Sequence, residues 1–493
     1  MQRNEIDGVL VIQRDSPGPL AASLTFGCGS RDDEIDSIGL THLVQHLVQW
    51  NELHVTDEST DDVWMIETSF IAAGAADQVA ARLTDICSAV SGLPPTDLSD
   101  AVANLDPHHR YLLNIDTGVL DPWGSLLARR YGPRGHGLSR WPAVDYRLLT
   151  ADEIQRHVQR YFTSGNAVLA VTADVPQAMR LRLPAGPRVT RDTPLADRRS
   201  GPVWYADEVH GVALVVGVEP SATAVLLMRA LRSLVVDALD QAGIAEHAEF
   251  MFEVVDATRH ELGIRVIPED GRKAKNFDAS VAAELLWTEL RKLVEAGLEP
   301  ADIAGLVPTG RAPVPTALVP AFESVAWMSS VRALDTAVHQ ELFGTAEQDY
   351  SDSLAELEGF SAAAARDVMS GWLSSAMIVV PYGSRPNLPG ATDDSCPRTR
   401  FLPAGEVIRP PLRKRLGNKG SLVIGVDAIS TVDGDGNVHT VPLSQALVVE
   451  RFGALWLAHL GHGCATTITD FADAADKLRS VLPPRRFRRV PVW

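Results

Sequence analysis

The sequence predicts an α+β protein: two homologous α/β-sandwich halves followed by a small β-rich C-terminal domain. Three observations carry this. The chain has 493 residues, too many for one hydrophobic core. A helix followed by TSGNAVLAVTADVP at 163–176 recurs as a helix followed by SSAMIVVPYGSRP at 374–386. The element order repeats with it, at a period of about 210 residues, as a duplicated unit requires. The last stretch, 421–493, reads as six short strands closed by one helix.

Composition narrows the function classes. Hydrophobic residues at 45% and charged residues at 22% are those of a soluble globular protein. The net charge of -18 argues against a nucleic-acid binder held by general electrostatics. The first residues, MQRNEIDGVLVIQRDS, place no long apolar core behind basic residues, so no signal peptide is expected. No run approaches the roughly 20 apolar residues of a membrane span. Cys28, Cys87, Cys396 and Cys464 are scattered, with no C-x-x-C pair. They read as buried free thiols in a reducing compartment, which places the protein in the cytoplasm.

In chain order, 8–13 (GVLVIQ) reads as a strand, 15–19 (DSPGP) as a turn and 20–26 (LAASLTF) as the return strand. The stretch 37–50, SIGLTHLVQHLVQW, reads as a helix with Ser37 as its N-cap. Leu40, Leu43, Val44, Leu47 and Val48 form one apolar face. His42, Gln45, His46 and Gln49 form the other. Two histidines four apart on one helix face can share a metal ion. An amphipathic helix turning a polar face to solvent shows the same spacing. His-x-x-Gln-His differs by one residue from His-x-x-Glu-His, the inverted zinc-peptidase signature. There the glutamate takes a proton from a metal-bound water. Gln45 has nearly the shape of that base and cannot ionise.

The flanks decide between the two readings. A strand, then Gly29-Ser30-Arg31-Asp32, then Gly39-Leu40 ahead of His42, Leu43 and His46 resembles the insulinase, pitrilysin and mitochondrial processing peptidase family. The likeness lies in its N-terminal half. The resemblance implies sandwich halves of the processing-peptidase type, His42 and His46 as zinc ligands, and position 45 as the catalytic base. It continues through a strand at 61–72, a helix at 77–93 and the segment LARRYGPRGHG at 127–137. A capping box at Thr150 and Glu153 then opens a helix, followed by a strand at 167–172.

Two departures weigh against catalysis. The family expects another glutamate well beyond the second histidine, as third metal ligand, and no glutamate occurs between Glu67 and Glu153. Asp106, His108, His109 and Asn114 lie in that neighbourhood. Asp106 or a histidine could serve, Asn114 poorly, and equally none of them is a ligand. Secondly, only 51–61 bridge the motif helix to the next strand. The family spends more chain there, on a helix and an edge strand that holds substrate by β-augmentation. Zinc is therefore expected to be weakly held or absent.

The domain reading is a first half at 1–180, a linker at 181–202, a second half at 203–385, a Pro-rich linker at 386–420 and a small domain at 421–493. The second half has strands at 212–218, 250–256, 262–267 and 376–380, and helices at 222–242, 279–296 and 361–373. It carries no His-x-x-x-His. The small domain resembles a pleckstrin-homology-type barrel. The basic runs 413–415 and 485–489 read as solvated charge or as a docking patch for an anionic partner.

Three functions follow. The first is a non-catalytic subunit beside an active zinc peptidase, or a peptide-binding partner. The second is a divergent working zinc metalloendopeptidase. The third is a scaffold binding lipid or protein through its C-terminal domain.

Overall fold

The computed structural model describes residues 1–493 apart from 17, 19, 51–59, 94–119, 191–200, 245, 269–276, 298–324, 345–360, 412–419, 452, 472 and 491–493. Among these, no helix is long and apolar enough to cross a membrane.

The first half begins with β1 (Gln2–Ile6), β2 (Val9–Gln13) and β3 (Leu20–Phe26). The motif helix α1 (Leu40–Trp50), β4 (Thr60–Val63), β5 (Thr68–Gly74) and α2 (Ala76–Ser91) follow. Then come α3 (Pro122–Tyr131), α4 (Ala151–Tyr161) and β6 (Ala167–Val171). Its sheet runs β1-β2-β6-β3-β5-β4, with β2 and β6 parallel.

The second half holds β7 (Val203–Asp207), β8 (Val212–Val218), α5 (Ala222–Gln241), β9 (Glu246–Asp256) and β10 (Arg259–Pro268). Helices α6 (Ala279–Ala296), α7 (Val325–Phe343), α8 (Ala362–Met369) and α9 (Trp372–Ser375) lead to β11 (Met377–Pro381) and β12 (Thr392–Asp393). Its sheet runs β12-β7-β11-β8-β10-β9, with β7 and β11 parallel. Five strands thus keep their places between the halves: β2 and β7, β6 and β11, β3 and β8, β5 and β10, β4 and β9. The repeat read from sequence is real. Its step stretches from β3 at 20 to β8 at 212, and from β6 at 167 to β11 at 377.

Each sheet is buried on both faces. Alternation sends Leu169 and Val171 of β6 one way and Val168 and Ala170 the other. On the first face, Leu40, Leu43, Val44, Leu47 and Val48 of α1 join Leu83 and Ile86 of α2 over Leu24, Phe26 and Phe70. On the opposite face, Leu334, Ala337, Val338 and Leu342 of α7 cover Ile12, Val168 and Ala170. The exchange is reciprocal. Trp123, Leu126, Leu127 and Tyr131 of α3 cover Ala213, Val215, Met377 and Val379 of the second sheet.

The C-terminal domain has two four-stranded sheets. One is β13 (Glu406–Ile408), β14 (Ser421–Ile424), β15 (Ala428–Val432) and β16 (Val438–Pro442). The other has β17 (Ala446–Arg451), β18 (Ala454–His459), β19 (Cys464–Thr467) and, after helix α10 (Ala474–Val481), β20 (Phe487–Val490). Its order is β19-β18-β17-β20, with β20 parallel to β17. Leu422, Ile429, Val448, Leu457, Phe471 and Leu478 fill the core between the sheets. Leu447 and Val449, on the other face of β17, pack on Ala128, Leu138 and Trp141 of the first half. The stretch read as a Pro-rich linker lends β12 to the second sheet and β13 to the small domain. Residues 181–190 pack along the first half: Leu181 is fully buried, and Val189 N–H donates to Asn166 Oδ1 at 3.1 Å.

Two sequence expectations are corrected here. Arg485, Arg486 and Arg488 are not loose charge, whereas Arg489 stays largely exposed. Arg485 binds Glu153 at 2.9 Å, Arg486 binds Asp36 at 3.0 Å and Arg489 binds Glu450 at 2.9 Å. Buried Arg488 donates to the carbonyls of Ile35 and Pro142. Arg485, Arg486 and Arg488 staple the small domain to the first half, Arg489 pairs within the small domain, and the basic run 413–415 lies outside the described residues. The cysteine reading holds for Cys28 and Cys87, both buried free thiols. It fails for Cys396 and Cys464, which the fold joins in a disulfide across 68 residues.

Candidate functional site

Helix α1 is aimed by the residues ahead of it. Gly29 passes so close to the 64–67 turn that a Cβ there would meet Trp64 O at 2.3 Å, which only glycine avoids. Its N–H donates to Asp32 Oδ2 at 3.0 Å. Ser30 N–H and Arg31 N–H donate to Trp64 O and Met65 O at 2.9 and 3.0 Å. The Arg31 guanidinium reaches Val255 O in the second half.

The helix start is held by Asp33, not by Ser37. Asp33 accepts from Gly39 N–H at 2.7 Å, Thr41 N–H at 3.1 Å and Thr41 Oγ1 at 2.7 Å. A carboxylate at a helix N-terminus satisfies orphan donors and meets the positive end of the dipole. Burial pushes the Asp33 carboxyl up to about 7, against these hydrogen bonds. Ser37 Oγ instead accepts from Glu34 N–H at 3.2 Å. Behind the helix, Thr41 Oγ1 lies 3.0 Å from His157 Nε2, and Cys28 Sγ lies 3.7 Å from the same nitrogen. Burial, then the nearby Arg160, lower His157 to about 3, so it is neutral. Sequence reading passed over Asp33 and His157; the only local signal was an acid eight residues before Thr41.

On the outer face, His42 and His46 are half-buried. Their Nε2 atoms stand 3.0 Å apart and their ring centroids 4.7 Å apart. The predicted ligand pair is therefore brought to one point. Gln45 is nearly sealed, at 3% exposure. Its Nε2 donates to Asp61 O on the edge strand β4 at 3.4 Å. Gln49 Nε2 donates to Asp61 Oδ2 at 2.8 Å, and both Asp61 oxygens take Arg82 Nη2, at 2.9 and 2.8 Å. The glutamines thus tie α1 to β4 through a buried ion pair. Among the described residues, no set of three ligating side chains includes His42 and His46. Asp106, His108, His109 and Asn114 lie outside the described residues.

Below this site, α3 and the turn after it lock the three parts together. Asp207 Oδ2 accepts from Ser125 Oγ at 2.6 Å and from Arg140 Nη1, with both charged side chains fully buried. Its Oδ1 accepts from Ala465 N–H of the small domain at 2.9 Å.

The two sheets of like topology belong to a fold found among solved structures. The fold is that of the M16 peptidases. An inactive M16 peptidase domain from Pseudomonas fluorescens matches with a TM-score of 0.59 and 12% identity, over 78% of this chain and 99% of that one. A protease from Helicobacter pylori matches at 0.56 and 13%, over 77% and 98%. A chain of complex III2 from Candida albicans, Inz-5 bound, matches at 0.57 and 14%, over 77% and 95%. No protein-family model and no curated protein sequence matches the chain. In this chain the polar face of α1 borders the edge strand β4.

Proposed function

We propose that this M16-fold chain is a non-catalytic subunit or peptide-binding partner of an active zinc peptidase. One observation carries the reading: Gln45, to which the family resemblance gives the general base's position, is almost sealed from solvent and spends its amide on the backbone of β4. An amide cannot accept a proton at neutral pH, so a water held by His42 and His46 would lack its base. The edge strand β4 is only four residues long, a short template for an added peptide strand. The inactive M16 domain with the same fold is consistent with such a role. The His42–His46 pair favours a second reading, a divergent working zinc peptidase, because its two nitrogens converge.

The test is affinity capture from a mixed peptide library on the immobilised chain, with zinc added, followed by mass spectrometry of what is eluted. The proposal expects one class of peptide retained at full length. Retained peptides with new termini would contradict it.

A further inference from the structure

A second cluster of metal-ligating side chains lies far from α1, where the small domain meets the second half. Cys396 follows β12, His439 sits on β16 and Cys464 opens β19. One donor atom from each lies within 4.8 Å of the other two, and all three side chains are buried. Cys464 Sγ stands 3.8 Å from His439 Nε2. The Cα atoms of the two cysteines are 7.0 Å apart, beyond the roughly 4.4–6.8 Å usual for a disulfide.

The surroundings suit thiolates. Arg129 Nη1 donates to Cys396 Sγ at 3.6 Å, and its guanidinium is fixed by Asp394 at 2.9 Å. A fixed cation beside a thiol favours its thiolate. A second histidine stands nearby. His459, whose ring centroid is 5.7 Å from that of His439, bonds Gln445 Oε1 through Nε2 at 2.9 Å. Its Nδ1 is buried and has no hydrogen-bond partner among the described residues.

We propose that Cys396, Cys464 and His439 form a structural site for a zinc-class divalent cation, tying both sheets of the small domain to the second half. A thiol- or phosphine-class reductant delivers two electrons to the S–S bond, and each sulfur becomes a thiolate. The cation then binds both sulfurs and His439 Nε2. The disulfide and the metal site are two states of one cysteine pair.

The test uses the full chain, reduced with a phosphine and titrated with cobalt(II). The expected result is an intense thiolate-to-cobalt charge-transfer band and the strong visible bands of a tetrahedral ion, saturating at one equivalent. The band should persist in His46→Ala, which removes the α1 pair, and vanish in Cys396→Ser/Cys464→Ser. Reduced protein that takes up no cobalt, or shows no thiolate band, overturns the proposal, as does a band unchanged in the double variant. Should the double variant fail to fold, the wild type suffices. Zinc loaded into reduced protein should be released stoichiometrically as a mercurial titrates the thiols, and zinc that stays bound overturns the proposal.

Discussion

His42 Nε2 and His46 Nε2 lie 3.0 Å apart on the outer face of α1. At that distance the two ring nitrogens are within hydrogen-bond reach of each other. A zinc ion held by both would have to replace that contact, and two imidazoles supply only half of a tetrahedral set. Zinc should therefore bind weakly at α1. The check is titration calorimetry on the oxidised chain, in which Cys396 and Cys464 are tied up. Wild type and His46→Ala should both lack tight binding. A tight, stoichiometric site present only in wild type would contradict this.

Gly39 should tolerate no side chain. Its φ is +94°, and a Cβ would meet Ala143 Cβ at 2.8 Å. A non-glycine residue held in a positive-φ conformation costs roughly 1–3 kcal/mol, and the clash adds to that. Gly39→Ala should lower the denaturant midpoint by a corresponding amount. An unchanged midpoint would mean that the turn entering α1 is not built this way.

Asp207 should be the costliest single charge to remove. Its carboxylate meets Arg140 and Ser125 of the first half and the Ala465 N–H of the small domain. Stripping one partner from a buried pair costs about 3–5 kcal/mol. Asp207→Ala should destabilise the chain by that order in equilibrium unfolding and free the small domain for early proteolysis. An effect below about 1 kcal/mol, the worth of an exposed pair, would contradict the burial.

The Arg485–Glu153 contact carries a pH signature. Arg485, then Thr150, hydrogen-bond the Glu153 carboxylate and hold it at about 2, below the roughly 4.3 of a free glutamate. The folded state thus prefers the ionised form. Its contribution is present above the free value and is lost as pH falls towards 2. Gln at 153 keeps a side chain able to cap α4 and loses the charge. The melting temperature of Glu153→Gln should lie below that of wild type at neutral pH, and the gap should close through that acid window. A gap independent of pH would mean that the charge pair contributes nothing.

Much of the fold was legible in the sequence. The five apolar positions of α1 are all buried, because a helix of that length can hide only one face. The duplication was visible because β6 and β11 are continuous apolar runs after a helix, the pattern of strands buried on both faces. Strand β1 was missed: QRNEI has no alternation and is almost wholly exposed, so only its pairing to β2 defines it. The expected strand at 61–72 is broken into β4 and β5 by the turn at 64–67, which exists to receive Ser30 and Arg31. The candidate site was half legible. His42, Gln45 and His46 announce themselves by spacing. Asp33 makes local contacts with Gly39 and Thr41 that match no spacing signature, while His157 and the cluster of Cys396, His439 and Cys464 are assembled by contacts between distant segments, which leave no local pattern.

The most direct measurement of the central claim is cleavage of a mixed peptide library with zinc added, wild type against Gln45→Glu. Restoring the carboxylate would return a base worth roughly 10²–10⁴-fold in rate, provided that the metal is firmly held. With only two converging imidazoles among the described residues, neither protein should cut. Zinc-dependent, chelator-sensitive cleavage by Gln45→Glu, or by the wild type, would contradict the non-catalytic reading and show that a third ligand completes the site.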